Sequence, residues 1–115
     1  MKGIVWGSTF ANASEKLTEI VDRYIKAGYE IENQVHSKNT HYVLFTNGDT
    51  WRAVRASDNV RGSKWNISYS ERNIDSDIYF TIIEPCTSVL PFTAIRFYGE
   101  GNLHITDKIS ELPFV

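Results

Sequence analysis

Between Trp51 and Arg72 the chain carries Arg52, Arg55, Arg61, Lys64 and Arg72 against only Asp58 and Glu71. That stretch is net +3, so the remainder of a chain whose overall charge is −2 carries −5. A local cationic patch on an acidic body points to a directed anionic partner more firmly than a high overall pI would. Arginine offers phosphate a planar, bidentate donor fork, and tryptophan offers a flat face on which a base stacks. Trp51, Arg52, Arg55, Asn59, Arg61, Lys64 and Arg72 are therefore the candidate ligand-binding residues. The competing reading is a solvated strand face, with Trp51 and Trp65 in the core; Trp65 shares an apolar face with Ile67 and Tyr69. On an extended strand Trp51 and Arg55 lie on one face, and Arg52 lies on the other with Val54.

A second group is Gly7, Ser8 and Thr9, small residues between an apolar run at 3–6 and a helix. A loop of this kind at a helix N-terminus presents N–H groups and a positive dipole end to phosphate. Other constellations are incomplete. His36, His41 and His104 lack the spacing of zinc ligands, and the lone Cys86 reads as a reduced core thiol. Asp75 and Asp77 read as a solvated turn more readily than as a cation site, and nothing reads as a Ser-His-Asp or Cys-His system.

The elements that must position these residues alternate between strand and helix signals. Leu17, Ile20, Val21, Tyr24 and Ile25 fall on one helical face, with Asn12 or Ser14 as the expected cap and Gly28 as the stop. Residues 29–35 read as a half-exposed strand, and 42–46 and 50–56 as a hairpin about Asn47-Gly48-Asp49, the strongest short hairpin signal. Further strands are expected at 64–70, at 78–83 (apolar on both faces, hence central) and at 92–98, while 102–115 is too weakly patterned to assign. The expected fold is α/β, with α+β as its alternative. One N-terminal amphipathic helix packs on a mixed sheet of about five to seven strands that includes the Asn-Gly hairpin, all in one domain spanning 1–115.

The opening strand, small-residue loop and helix resemble the start of a P-loop fold. Gly3 and Gly7 are separated by three residues, however, and no lysine precedes Ser8 and Thr9; Lys16 lies a turn or more inside the helix. The middle of the chain extends the resemblance, to phage terminase large subunits and related helicase-like ATPases. It rests on three stretches: 43–49 with its Asn47-Gly48-Asp49, 58–62 with Asn59 and Arg61-Gly62, and 65–71 ending in Ser70-Glu71. In that family the last strand ends in an Asp-Glu pair that supports magnesium and orients the attacking water. Only Glu71 matches, so the resemblance implies a catalytic role for Glu71 alone, and only if the chain is ATPase-like.

With the lysine and the magnesium carboxylate both absent, the resemblance implies a phage-type, non-catalytic binding protein. Its partner would be a nucleotide or nucleic acid engaged through the hairpin and loop at 47–72. The residues call for no cofactor; the resemblance admits a nucleotide, with magnesium. Two alternatives stand beside this one. The first is a phage inhibitor of a host defence system, anti-CRISPR-like or a sponge for a signalling nucleotide, acting on a host protein or a small molecule. The second is a nucleoside triphosphatase fragment completed by a partner chain. No window is apolar enough to span a bilayer and no signal peptide is visible, so a cytoplasmic location is expected, the host cytoplasm if phage-encoded, as a monomer or small homo-oligomer.

Overall fold

The chain puts its first strand in the middle of its sheet. In a computed structural model that describes residues 1–57, 64–88 and 93–101, β1 (Lys2–Gly7) is followed by α1 (Phe10–Lys26), β2 (Ile31–His36), β3 (His41–Phe45), β4 (Thr50–Arg55) and β5 (Ile67–Glu71). A helical stretch comes next, made of α2 (Ser76–Ile78), a π-helical turn (Tyr79–Ile83) and α3 (Glu84–Ser88), before β6 (Ala94–Tyr98). The six strands lie in the order β2-β3-β4-β1-β5-β6. β1 runs parallel to both β4 and β5, and β5 parallel to β6, while β2, β3 and β4 form an antiparallel meander. The architecture is a mixed six-stranded α/β sheet, as expected.

Burial follows from the alternation along β1. Val5 faces α1, joining Ala13, Leu17, Ile20 and Val21 from the helix and Val43, Phe45, Trp51 and Ala53 from the meander. Ile4 and Trp6 face the other way, joining Trp65, Tyr79, Ile82, Ile83, Cys86 and Ile95. The sheet is thus covered on one face by α1 and on the other by the 76–88 stretch. α1 carries the chain from β1 towards β4, whereas the second stretch carries it from β5 towards β6. The loops after β1 and β5 therefore leave in opposite directions and open a crevice at the carboxyl ends of these two strands, the place where open α/β sheets bind ligands.

Two sequence expectations are corrected. Residues 78–83 are helical rather than a central strand, because Tyr79, Ile82, Ile83 and Cys86 recur at i, i+3, i+4 and i+7 and bury one face. The cap of α1 is Thr9, whose hydroxyl accepts from the Asn12 N–H at 3.1 Å; Asn12 and Ser14 lie inside the helix. On the fifth strand Ser68 and Ser70 are fully buried, and Ser68 accepts from the Trp6 indole N–H at 3.0 Å and bonds to Thr87. The helix does end before Gly28, which sits at φ 96°, and the hairpin turns at Gly48, φ 94°.

Candidate functional site

Gly7 ends β1 where a side chain has no room. A Cβ there would lie 2.4 Å from the Thr9 carbonyl oxygen and 2.8 Å from the Ala13 nitrogen. Its absence lets the loop fold tightly onto the first turn of α1. Gly3, by contrast, sits inside β1 under the Trp51 ring, 2.5 Å from where its Cβ would be, and takes no part in the loop. On the neighbouring strand Ser70 stands in register with Trp6, which delivers the next residue, Glu71, to the loop.

The Glu71 carboxylate is 8% exposed and lies where a loop of this shape would hold an anion. Ser8 donates to its Oε2 twice, from the backbone N–H at 2.6 Å and from Oγ at 2.7 Å, and Asn12 Nδ2 donates to Oε1 at 3.0 Å. Tyr98 closes the far side, its hydroxyl donating to the Trp6 carbonyl at 2.9 Å. Burial, with the Glu71 charge adding to it, pushes the Tyr98 phenol well above its ordinary range, so it remains a donor. Beside this knot is a pocket of about 340 Å³ bordered by Asn12, Glu15, Lys16, Glu19, Glu71 and Tyr98. Lys16 spans it, with Nζ 5.6 Å from the Tyr69 ring centre, 5.8 Å from that of Tyr98 and 3.0 Å from a Glu19 carboxylate oxygen. Three carboxylates against one ammonium make this rim acidic. A phosphate entering the loop has to displace Glu71 and meets a lysine already committed to Glu19.

The described residues of 47–72 do not converge. Trp51 is a core residue, 3% exposed, and its indole N–H donates to the Tyr24 hydroxyl at 3.0 Å. Tyr24 in turn donates to Asp49 at 3.0 Å and stacks on Phe45, centres 4.1 Å apart. Desolvation, reinforced by Asp49, raises the Tyr24 phenol to about 12. Trp65 is likewise buried. Arg55 ends β4 in register with Gly7, at the carboxyl edge, and Arg72 lies just beyond β5, donating to the Gly99 carbonyl at 2.8 Å. Arg52 projects from the opposite face of β4, its guanidinium 6.0 Å from the Tyr42 ring centre, and Lys64 precedes β5 at the amino edge. Asn59 and Arg61 lie outside the described residues. Thr9 is exposed and spends its hydroxyl on the helix cap.

Two side-chain groups escaped the sequence reading. Asn12 is four residues after Ser8, one helical turn, and that spacing was the available signal for a second Glu71 donor. Lys2 and Tyr42 gave no signal, because only strand pairing brings them beside Arg52 and Trp65. The remaining expectations resolve locally. Cys86 is buried, and Asp75 caps the second helical stretch by accepting from the Asp77 N–H at 2.8 Å. His36 and His41 stack in parallel at 3.8 Å and share Ser14 Oγ, at 3.2 and 2.8 Å. His104 lies outside the described residues, and among those described no group of three metal-ligating side chains forms.

No protein-family model matches the sequence, and no curated protein matches it. Solved structures do. The large terminase of a thermophilic bacteriophage superimposes with a TM-score of 0.69 at 11% identity, covering 99% of this chain and 31% of that one. The fold of this chain is similar to that of phage large terminases. The same terminase in complex with ADP gives a TM-score of 0.65 at 14% identity, with the same coverage. The large terminase ATPase domain of a Thermus phage gives 0.62 at 18% identity, covering 88% of this chain and 48% of the domain. The chain thus spans about a third to a half of the terminase chains it matches. The terminase-like likeness extends over the sheet and both helical layers, well beyond the three sequence stretches that first suggested it. Among the described residues no helix is long and apolar enough to cross a membrane.

Proposed function

We propose that this chain is a phage-type, non-catalytic binding protein on a terminase-like fold, and that it engages a nucleotide or nucleic acid through cations of the 47–72 segment. One observation carries the reading. Arg52, Arg55 and Lys64 are all exposed, and the ion pairs among the described residues, Met1 with Asp49 and Lys16 with Glu19, involve none of them. Exposed cations outside those ion pairs attract phosphate at little desolvation cost. The loop that a related fold would use for phosphate is filled here by Glu71, and among the described residues no lysine bonds to Ser8, which argues against turnover. The ADP bound by the thermophilic phage's terminase keeps a nucleotide among the ligands to be tried.

The test is equilibrium binding at low salt to ADP, ATP and single- and double-stranded DNA and RNA, with Arg52→Ala, Arg55→Ala and Lys64→Ala as separate variants. Binding to one of these ligands, weakened by at least one variant without loss of fold, is the expected result. Wild-type protein that binds none of them would end this reading. A second reading draws on the acidic rim of Glu15, Glu19 and Glu71, which favours a cationic protein surface. On it the chain is a phage inhibitor that docks on a basic host protein through that edge, and charge reversal at Glu15 and Glu19 abolishes capture of that partner.

A further inference from the structure

We infer that the sheet face opposite α1 carries a groove for a single nucleic-acid strand, with Tyr42 as a stacking platform and Lys2 and Arg52 as phosphate contacts. The inference rests on the nucleic-acid arm of the proposed function and assigns it to one face. The 76–88 stretch covers β1, β5, β6 and the end of β4, and no residue of β2 or β3 belongs to the core beneath it. On the other half, which no helix among the described residues covers, Val35 pairs with Tyr42 and is 46% exposed, while Tyr42 and Leu44 are only half-buried.

Lys2, Tyr42, Thr50, Arg52 and Trp65 border a groove of about 480 Å³ there. Its lining contains no acidic residue, in contrast to the pocket at the carboxyl edge. Each cation lies over an aromatic ring, Lys2 Nζ at 4.9 Å from the Trp65 centre and Arg52 at 6.0 Å from that of Tyr42. Cations flanking a flat, partly open ring are the arrangement that holds a strand by its backbone and a base by its π-face. A duplex keeps its bases stacked inside and offers none to Tyr42, so the groove selects single strands.

The experiment is fluorescence anisotropy with a labelled oligothymidine, a duplex of equal length and ADP. The proteins are wild type, Lys2→Ala, Arg52→Ala, Arg55→Ala, Lys26→Ala, Tyr42→Phe and Tyr42→Leu, each checked for fold by circular dichroism. The single strand should bind best. Tyr42→Leu should weaken it about tenfold or more while Tyr42→Phe retains it, since stacking needs the ring and not the hydroxyl. Lys2→Ala and Arg52→Ala should each weaken binding and flatten its salt dependence, and Lys26→Ala, an exposed cation in the last turn of α1, should leave it unchanged.

Binding that Arg55→Ala abolishes and Tyr42→Leu spares overturns the groove but leaves the proposed function standing. Preference for the duplex does the same. Sedimentation showing a dimer that Tyr42→Leu dissociates overturns it in favour of a second copy on this face. No binding to any of the three ligands overturns the groove, and the proposed function falls with it when ATP and RNA also fail to bind.

Discussion

Replacing Glu71 tests whether its carboxylate holds the loop closed. Its three contacts, at 2.6, 2.7 and 3.0 Å, are hydrogen bonds to a charged group. Such bonds contribute about 1.5–3 kcal/mol each, against about 0.5–1.5 for neutral ones. Glu71→Gln keeps the shape, but only its amide oxygen accepts. With that oxygen toward Ser8, the two Ser8 bonds turn from charged to neutral, a gross loss of about 1 kcal/mol apiece. Its NH2 then meets the Asn12 NH2, so the third bond is lost unless Asn12 turns its own oxygen inward. Part is returned because the amide has no charge to desolvate, so the net cost should be about 1–3 kcal/mol. Glu71→Ala leaves the Ser8 and Asn12 donors without the side chain, but the adjoining pocket of about 340 Å³ admits water. Its cost should still exceed that of the amide, at about 2–4 kcal/mol. Urea denaturation read as a midpoint shift at constant m measures both. A double-mutant cycle with Ser8→Ala should give a coupling of about 0.5–2 kcal/mol, since Ser8 Oγ and Glu71 share one bond. A Gln variant as stable as the wild type, with no coupling to Ser8, would refute the argument that this carboxylate is the loop's internal anion.

Gly7→Ala forces a methyl group against the Thr9 carbonyl and the Ala13 amide, and should lower stability by about 1–3 kcal/mol or more, seen as a lower Tm. Ile20 is 4% exposed on the buried stripe of α1, so Ile20→Ala should cost about 2–5 kcal/mol, and a loss below about 0.5 would contradict its place in the core. Burial, with His36 stacked against it, holds the His41 imidazole below its ordinary value of 6.5, so the unfolded chain takes up this proton first as pH falls. Stability should accordingly be full above about pH 6.5 and decline below it, with a shallower decline in His41→Gln when thermal melts are compared between pH 7.5 and 5. Purified protein with magnesium and ATP should release no phosphate above background, and turnover abolished by Glu71→Gln would overturn the non-catalytic reading.

What the sequence disclosed depended on whether a pattern was long enough to show its period. The apolar stripe of α1 repeats over two turns or more, and with Gly28 as a stop it fixed the helix almost to the residue at its C-terminal end. Its N-terminal end was harder, because the first turn carries no acidic residue and Thr9 competes as a cap with Asn12 and Ser14. In the 78–83 stretch, a six-residue view shows only β-branched and aromatic residues. The helical period appears once Cys86 is included, and Asp75 with Asp77 then reads as a cap. The burial of Ser68 and Ser70 was not legible, because polarity in a sequence does not reveal the bonds that join Ser68 to Trp6 and Thr87. The candidate site divided for a topological reason. Arg52 and Arg55 are three residues apart on a strand, so they face opposite sides of the sheet. Lys64 lies at the amino edge and Arg72 at the carboxyl edge because β5 runs between them.

The central place of β1 also bears on how the chain reaches this fold. β1 pairs Lys2 with Thr50 and Gly3 with Ile67, so both of its neighbours lie far downstream. The β2–β3–β4 meander, by contrast, is built from contacts between near neighbours in sequence and can close early. On a growing chain β1 is thus made before either strand that will flank it. With both edges unsatisfied, it waits for residues 50–71. Assembly of the parallel centre should therefore limit the folding rate, and substitutions in β1 should slow folding at least as much as they speed unfolding. During that interval Ile4, Val5 and Trp6 form an apolar strand with two open edges, and this is the segment most exposed to pairing with another chain.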